Sequence, residues 1–261
     1  MVQDMVVHHG VSRRQACKAI GLSRNIASYV PQPKDDTKII QALEDLIGKH
    51  PAIGFWSCYY RLRRQGNTWN HKRVYRIYTA MHLNIRRRSK KRIPARVKQA
   101  LSQPDTINQV WSIDFMSDSL YDGRKFRLLN ILDDYNRELI AIEIDTCLPT
   151  ARLIRVLERI QESRPMPKMI RIDNGPEFIS KELDLWCKRH QIRLLFIQPG
   201  KPTQNAYIER CNGSIRRELL NAHLFESLEE ARVIAETWME DYNINRPHQA
   251  LNYKSPLGYE P

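Results

Sequence analysis

Residues 169–182 read MIRIDNGPEFISKE, and the fold turns on how this stretch is read. Met169, Ile170 and Ile172 form a short apolar run of strand character around Arg171. Asp173 ends the run, and Asn174 and Gly175 then turn the chain sharply. The strand therefore delivers a carboxylate to a glycine turn, in a chain whose formal net charge is +13. Helical patterns flank it. One fits 150–163, with Leu153, Val156, Leu157 and Ile160 facing inward, and another fits about 180–190.

Moving outward, VWSIDFM (110–116) alternates, with Trp111, Ile113 and Phe115 on one face and Ser112 and Asp114 on the other. FRLLNILDDYN (126–136) and ELIAIEID (138–145) read as two more strands joined by a tight turn at Tyr135-Asn136-Arg137. Asp133 and Asp134 read as surface ion-pairing or turn residues. IRLLFIQP (192–199) is a fifth strand, and after the loop GKPT a long helix fits 204–222. The order βββαβαβα predicts an α/β fold, a mixed sheet flanked by helices.

In that order the first and fourth strands can lie side by side, so Asp114 and Asp173 would converge at one sheet edge. Two carboxylates brought together favour a proton or a bound cation. An all-oxygen site suits a hard divalent ion such as Mg²⁺. A third acid is Glu209. Ile208, Cys211, Ile215 and Leu219 make the buried stripe of its helix, while Asn205, Glu209, Asn212 and Arg216 lie along another side. Between Asp173 and Glu209 stand 35 residues. Arg216, seven residues after Glu209, lies about 20° around a helix axis and about 10 Å along it, which suits gripping a neighbouring phosphate.

Charge is unevenly spread. Residues 1–110 hold 21 basic and 6 acidic side chains, whereas 111–261 hold 21 and 23. A basic front half calls for a polyanion, nucleic acid first. Residues 11–30 read as a helix-turn-helix in which Gly21 turns, Ser23 caps, and Arg24 and Asn25 open the second helix toward DNA. PQPKDDT at 31–37 reads as a linker. Helices fit 38–48, 53–66 and 71–83, the last capped by Asn70 and carrying Lys72, Arg73 and Arg76 opposite its apolar stripe. In RRRSKKRIPARVK (86–98), 8 of 13 residues are Lys or Arg, among them Arg86, Arg87, Arg88, Lys90, Lys91 and Arg92. Such a block repels itself when free and suits a phosphate backbone. The expected organisation is a helix-turn-helix at 1–30, a second helical DNA-binding unit at 36–85, a basic linker at 86–107, a catalytic core at 108–222, and a C-terminal helix and tail at 223–261.

The five cysteines are scattered without a Cys-x-x-Cys pair, which argues against a disulfide framework or a Cys-rich zinc site. No run of about 18 apolar residues exists, and MVQDMVVHHG lacks the pattern of a secretory signal. A cytoplasmic protein is expected.

WSIDF, RIDNGPEF and, 35 residues on, the glutamate of PGKPTQNAYIERCNGSIRREL resemble the DDE transposases and integrases. The resemblance is closest to insertion-sequence transposases encoded in two overlapping frames, as the B-frame product of the IS-three family. It spans nearly the whole chain. SRRQACKAIGLSR resembles that family's N-terminal segment, NHKRVYRIY its second helical segment, and YNINRPHQALNYKSP its C-terminal tail. The resemblance implies an RNase H-like core and assigns Asp114, Asp173 and Glu209 as catalytic metal ligands. It implies two Mg²⁺ or Mn²⁺ ions, double-stranded DNA as partner (element ends and target), a homo-oligomer assembled on it, and an A-frame product that is fused to this chain. No leucine-zipper heptad run appears here. A basic residue at the Arg216 position is taken in the family to contact DNA, and Lys201 and Arg217 join the expected DNA contacts.

Three rivals are weaker. A tyrosine recombinase would place its His and Arg on one helix, whereas His190 ends a helix and Arg193 sits in a strand. A retroviral-type integrase would need a His-His-Cys-Cys zinc module, and no Cys pair follows His8 and His9. A catalytically idle, transposase-derived regulator would keep the DNA-binding segments but has no use for an intact acid set.

Overall fold

The computed structural model of the protein describes residues 1–30, 35–85, 103–198 and 202–259. Met1–Lys38 and Ile39–Pro261 form separate units. The first holds α1 (Val2–His9), α2 (Arg13–Ile20) and α3 (Arg24–Ala27). α1 was not anticipated, and α3 is a single turn. Local sequence sets these ends. Ser12 and Gln15 form a capping box at the start of α2, Gly21 ends α2 in the left-handed region at φ 71°, and Ser23 Oγ accepts the Ile26 N–H at 3.3 Å.

The second unit begins within the first turn of α4 (Thr37–Lys49) and goes on to α5 (Phe55–Arg64) and α6 (His71–Ala80), which is capped by Asn70 as expected. Ile39, Leu43, Cys58, Leu62, Val74, Ile77 and Tyr78 bury a core of their own. Arg61 of α5 pairs both guanidinium arms with Asp241, at 2.9 and 2.6 Å, in the last α-helix of the chain. This forked pair ties the helical layer to the C-terminal helix.

The sheet holds β1 (Val110–Ser119), β2 (Lys125–Asp133), β3 (Leu139–Asp145), β4 (Met169–Ile172) and β5 (Arg193–Phe196), in the order β3-β2-β1-β4-β5. The first three strands form an antiparallel meander, while β4 and β5 run parallel to β1. α7 (Thr150–Gln161) and α8 (Lys181–Arg189) cover one face, where Trp111, Ile113, Leu129 and Ile131 meet Leu153, Leu157 and Trp186. α9 (Ala206–Ile215) and α10 (Leu228–Ile244) cover the other, burying Ile208, Cys211 and Ile215 against Phe126, Leu128 and Leu132. Each fully buried Leu or Ile here contributes about 1.5–3 kcal/mol. The helix expected over 204–222 is interrupted: α9 is preceded by a 3₁₀ turn at Pro202–Asn205 and followed by a π turn at Arg216–Leu220.

Asp133 and Asp134 need correcting as surface residues, since both are 0% exposed. They do sit at the β2–β3 turn. Asp133 accepts the Asn108 and Tyr135 amides, and Asp134 pairs with Arg171 and accepts the Ser112 hydroxyl at 2.6 Å. Burial pushes the Asp134 carboxyl up to about 6, and the Arg171 guanidinium pulls against it. Apart from Tyr135 their partners lie far along the chain, so local pattern could not show the burial. Among the described residues no helix is long and apolar enough to cross a membrane.

Candidate active site

Three side chains from three elements share one region. β1 and β4 pair in parallel with Ser112 opposite Arg171, so two residues further along each chain Asp114 and Asp173 come level. Asp173 follows β4 directly. Its Oδ1 accepts the Gly175 N–H at 2.8 Å, which forms the sharp turn read from the sequence. A Cβ at residue 175 would stand 3.0 Å from that same oxygen, so close approach rather than handedness favours glycine there, since a larger residue would shift the Asp173 carboxylate.

Asp114 lies mid-strand on the face that α9 covers. Its Oδ1 accepts the Phe115 N–H at 2.8 Å, and its Oδ2 accepts from Asn212 Nδ2 at 2.8 Å. Asn212 in turn accepts from Asn130, the buried residue opposite Asp114 in the β1–β2 register. This Asn130–Asn212–Asp114 chain orients the carboxylate. The helical spacing had put Asn212 on the Glu209 side, but nothing local marked Asn130. Burial first, then the Asp173 and Glu209 carboxylates, raise the Asp114 pKa to about 6, against the pull of its two donors.

Glu209 is exposed on α9 and makes no hydrogen bond or ion pair among the described residues. Among those residues no three His, Cys, Asp or Glu side chains stand close enough together to hold a metal as placed. Asp114 and Asp173 are each turned onto amide donors, and Glu209 is unconstrained. The donor set still fits a hard cation. All three groups are carboxylates, their mutual repulsion registers at Asp114, and the Glu209 side chain can swing without breaking a contact.

The basic candidates fall in several places. Arg24 and Asn25 are exposed in the first turn of α3, and Lys72 and Arg76 are exposed on α6 beside the half-buried Arg73. Arg86, Arg87, Arg88, Lys90, Lys91, Arg92 and Lys201 lie outside the described residues. Arg217 is exposed. Arg216 is engaged by β1, donating to Asp118 Oδ2 at 2.8 Å and to the Ser117 carbonyl at 2.6 Å. His190 caps α8 and Arg193 opens β5, so the pair shares no helix.

Comparison with known proteins agrees with this architecture. Two integrase core domain family models match residues 104–202 and 190–256, and an HTH-like domain model matches 34–91, over the second helical unit. The chain is 40% identical over 247 residues to an uncharacterized 31.7 kDa protein of insertion element IS407 from Burkholderia multivorans, covering 94% of this chain and 89% of that one. It is 37% identical over 259 residues to an uncharacterized 39.2 kDa protein of IS476 from Xanthomonas euvesicatoria, covering 99% and 75%. The transposase InsD of IS2 from Escherichia coli is 27% identical over 86% of this chain and 79% of its own. Among solved structures, a chain of the simian T-cell lymphotropic virus intasome superposes with a TM-score of 0.51 at 16% identity, covering 85% of this chain and 75% of that one, which shows the shared RNase H-like fold. The identity to IS407 and IS476 proteins along almost the whole length, with the integrase-core matches, means that the chain belongs to the IS-three family of insertion-sequence transposases, DDE-type polynucleotidyl transferases of DNA transposition.

Proposed function

We propose that Asp114, Asp173 and Glu209 are the catalytic carboxylates with which this transposase cuts one strand at an element end and joins it to a target. The observation that carries the reading is the level placement of Asp114 on β1 and Asp173 just past the end of the parallel neighbour β4, with Glu209 near enough to raise the Asp114 pKa. These three residues would hold the divalent metal on which integrase cores depend, Mg²⁺ or Mn²⁺, as two ions. When bound, these ions would supply Lewis-acid polarisation of the scissile phosphate and stabilise charge on the entering and leaving oxygens.

The chain's own groups do the rest. Asn212, braced by Asn130, fixes the Asp114 carboxylate, and the Gly175 amide fixes Asp173. Glu209 closes from α9 once DNA is seated. In the first step a water oxygen bonds to phosphorus and the bond to the element's 3′ oxygen breaks, leaving a 3′-OH on the element and a 5′-phosphate on the flank. In the second step that 3′ oxygen attacks a target phosphorus and displaces the target's own 3′ oxygen.

Segments 1–30 and 36–85, the basic linker 86–107 and Arg216 or Arg217 would hold the double-stranded ends. A homo-oligomer on paired ends, a fusion with an A-frame product and a cytoplasmic setting complete the reading. The idle-regulator alternative is not favoured, because all three acids stand in one region. The test is end cleavage and strand transfer by Asp114→Asn, Asp173→Asn and Glu209→Gln. Each is expected to lose at least about a thousandfold in rate, roughly 4 kcal/mol of transition-state stabilisation, with DNA binding nearly unchanged. Near-wild-type turnover in any one of them would sink the assignment.

A further inference from the structure

On the side of α9 turned away from Glu209 lies a cavity of about 580 Å³, bounded by α5, α9 and the segment after α10. Its size falls among sites for small molecules, ~300–1,000 Å³. Tyr207, Arg210 and Ser214 face it from α9, roughly 100–160° around the helix from Glu209. The carboxylate site therefore does not account for it.

The lining is cationic. Arg137, Arg210 and Arg246 contribute three guanidinium groups, and none of the described lining residues is acidic. Glu218, behind the wall, answers one of these charges by taking Nε and Nη2 of Arg246 at 3.0 and 2.6 Å. Arg137 is buried with its guanidinium 3.6 Å from the centre of the Tyr207 ring. Arg210 is exposed and makes no ion pair among the described residues. His248 also lines the cavity, and its buried Nε2 has no hydrogen-bond partner among the described residues. Burial and the Arg246, Arg137 and Arg210 charges push this imidazole down to about 3, so it stays neutral and adds a polar atom in need of a partner.

The backbone is strained here as well. Arg137 and Tyr253 both line the cavity, and both hold the left-handed region at φ 63° although neither is glycine. Aromatic rings rim the opening. Trp56 is 47% exposed, and Tyr253 stacks on Tyr60 with centroids 3.9 Å apart. Guanidinium groups beside an exposed indole suit a phosphate joined to a base.

We propose that this cavity binds a phosphate-bearing nucleotide unit, with the phosphate between Arg210 and Arg246 and the base against Trp56 at the rim. The unit is either the end of a DNA strand or a free nucleotide, which share this chemistry. The proposal uses neither a metal nor Asp114, so its failure would leave the strand-transfer reading standing.

The experiment uses the full chain in chelator and measures binding of thymidine, thymidine 5′-monophosphate and a 5′-phosphorylated thymidine trinucleotide by calorimetry and tryptophan fluorescence. Both phosphorylated probes are expected to bind about tenfold or more tighter than thymidine, as charge-assisted hydrogen bonds allow. Arg210→Ala should remove that preference, and Arg210→Lys should restore part of it. Arg210 is exposed, so an unchanged melting temperature verifies that the variants are folded. A trinucleotide that outbinds the monophosphate assigns the site to a strand, and equal binding assigns it to a free nucleotide. No preference over thymidine, or a preference that survives Arg210→Ala, overturns the proposal.

Discussion

The Asp114 carboxyl accepts two good hydrogen bonds and still titrates near 6, because burial and two neighbouring carboxylates oppose its charge. A raised carboxyl pKa stabilises the metal-free fold below the ordinary value of 3.8, and that contribution is lost as pH rises through about 6. At neutral pH the metal-free site therefore carries repulsion that a cation relieves. Below about pH 6 a proton competes for the same oxygens. Mn²⁺ affinity measured by calorimetry should be flat above about pH 7 and weaken by up to about tenfold per unit below pH 6. Affinity that holds steady down to pH 4.5 (roughly the range where ordinary carboxylates begin to titrate) would remove Asp114 from the ligand set. The placement of Asp114 in a strand, of Asp173 before a glycine turn and of Glu209 on a helix was legible in the sequence, since strand alternation, turn chemistry and helical spacing each act within a few residues. Asn130 was not, because only the β1–β2 register puts it opposite Asp114.

At the level of elements, the five strands and the helices over 150–161 and 181–189 followed from periodicity, and so did the neighbouring placement of β1 and β4. The break after α9 did not. Arg216 opens a π turn, and its guanidinium reaches across to Asp118 and the Ser117 carbonyl of β1, 98 and 99 residues away. No local pattern announces such a contact, nor the Arg61–Asp241 fork that spans 180 residues. Two roles for Arg216 now compete, anchoring the turn and gripping a phosphate after leaving Asp118. Arg216→Ala should lower single-turnover end cleavage by about tenfold or more, with a smaller effect on non-specific binding, and Arg216→Lys should recover part of it. Asp118→Asn separates the roles. Cleavage that is kept or raised in Asp118→Asn supports the phosphate role, and a loss as large as that of Arg216→Ala means that the pair only holds the turn to β1.

Across the whole molecule, the charge is unevenly divided. Residues 1–110 carry 21 basic against 6 acidic side chains, and the sheet with its acids comes after them. Binding to DNA should then depend steeply on salt. Replacing Arg86, Arg87 and Arg88 by Gln in the full chain should flatten the log–log salt slope by up to about 2–3 and weaken all sequences alike, at roughly 0.9 per lost phosphate contact. Changing Arg24 or Asn25 should instead reduce preference for the cognate end, and a slope unaltered by the triple change would refute the electrostatic reading. In the proposed function the basic segments carry DNA to metal held by Asp114, Asp173 and Glu209. The most direct measurement of this is anomalous scattering from Mn²⁺ in a crystal of the protein bound to an element-end duplex. Manganese is expected about 2 Å from oxygens of both Asp114 and Asp173, with Glu209 drawn in beside it. An ordered DNA end with manganese absent from these carboxylates, or bound elsewhere at the scissile phosphate, would contradict the proposed function.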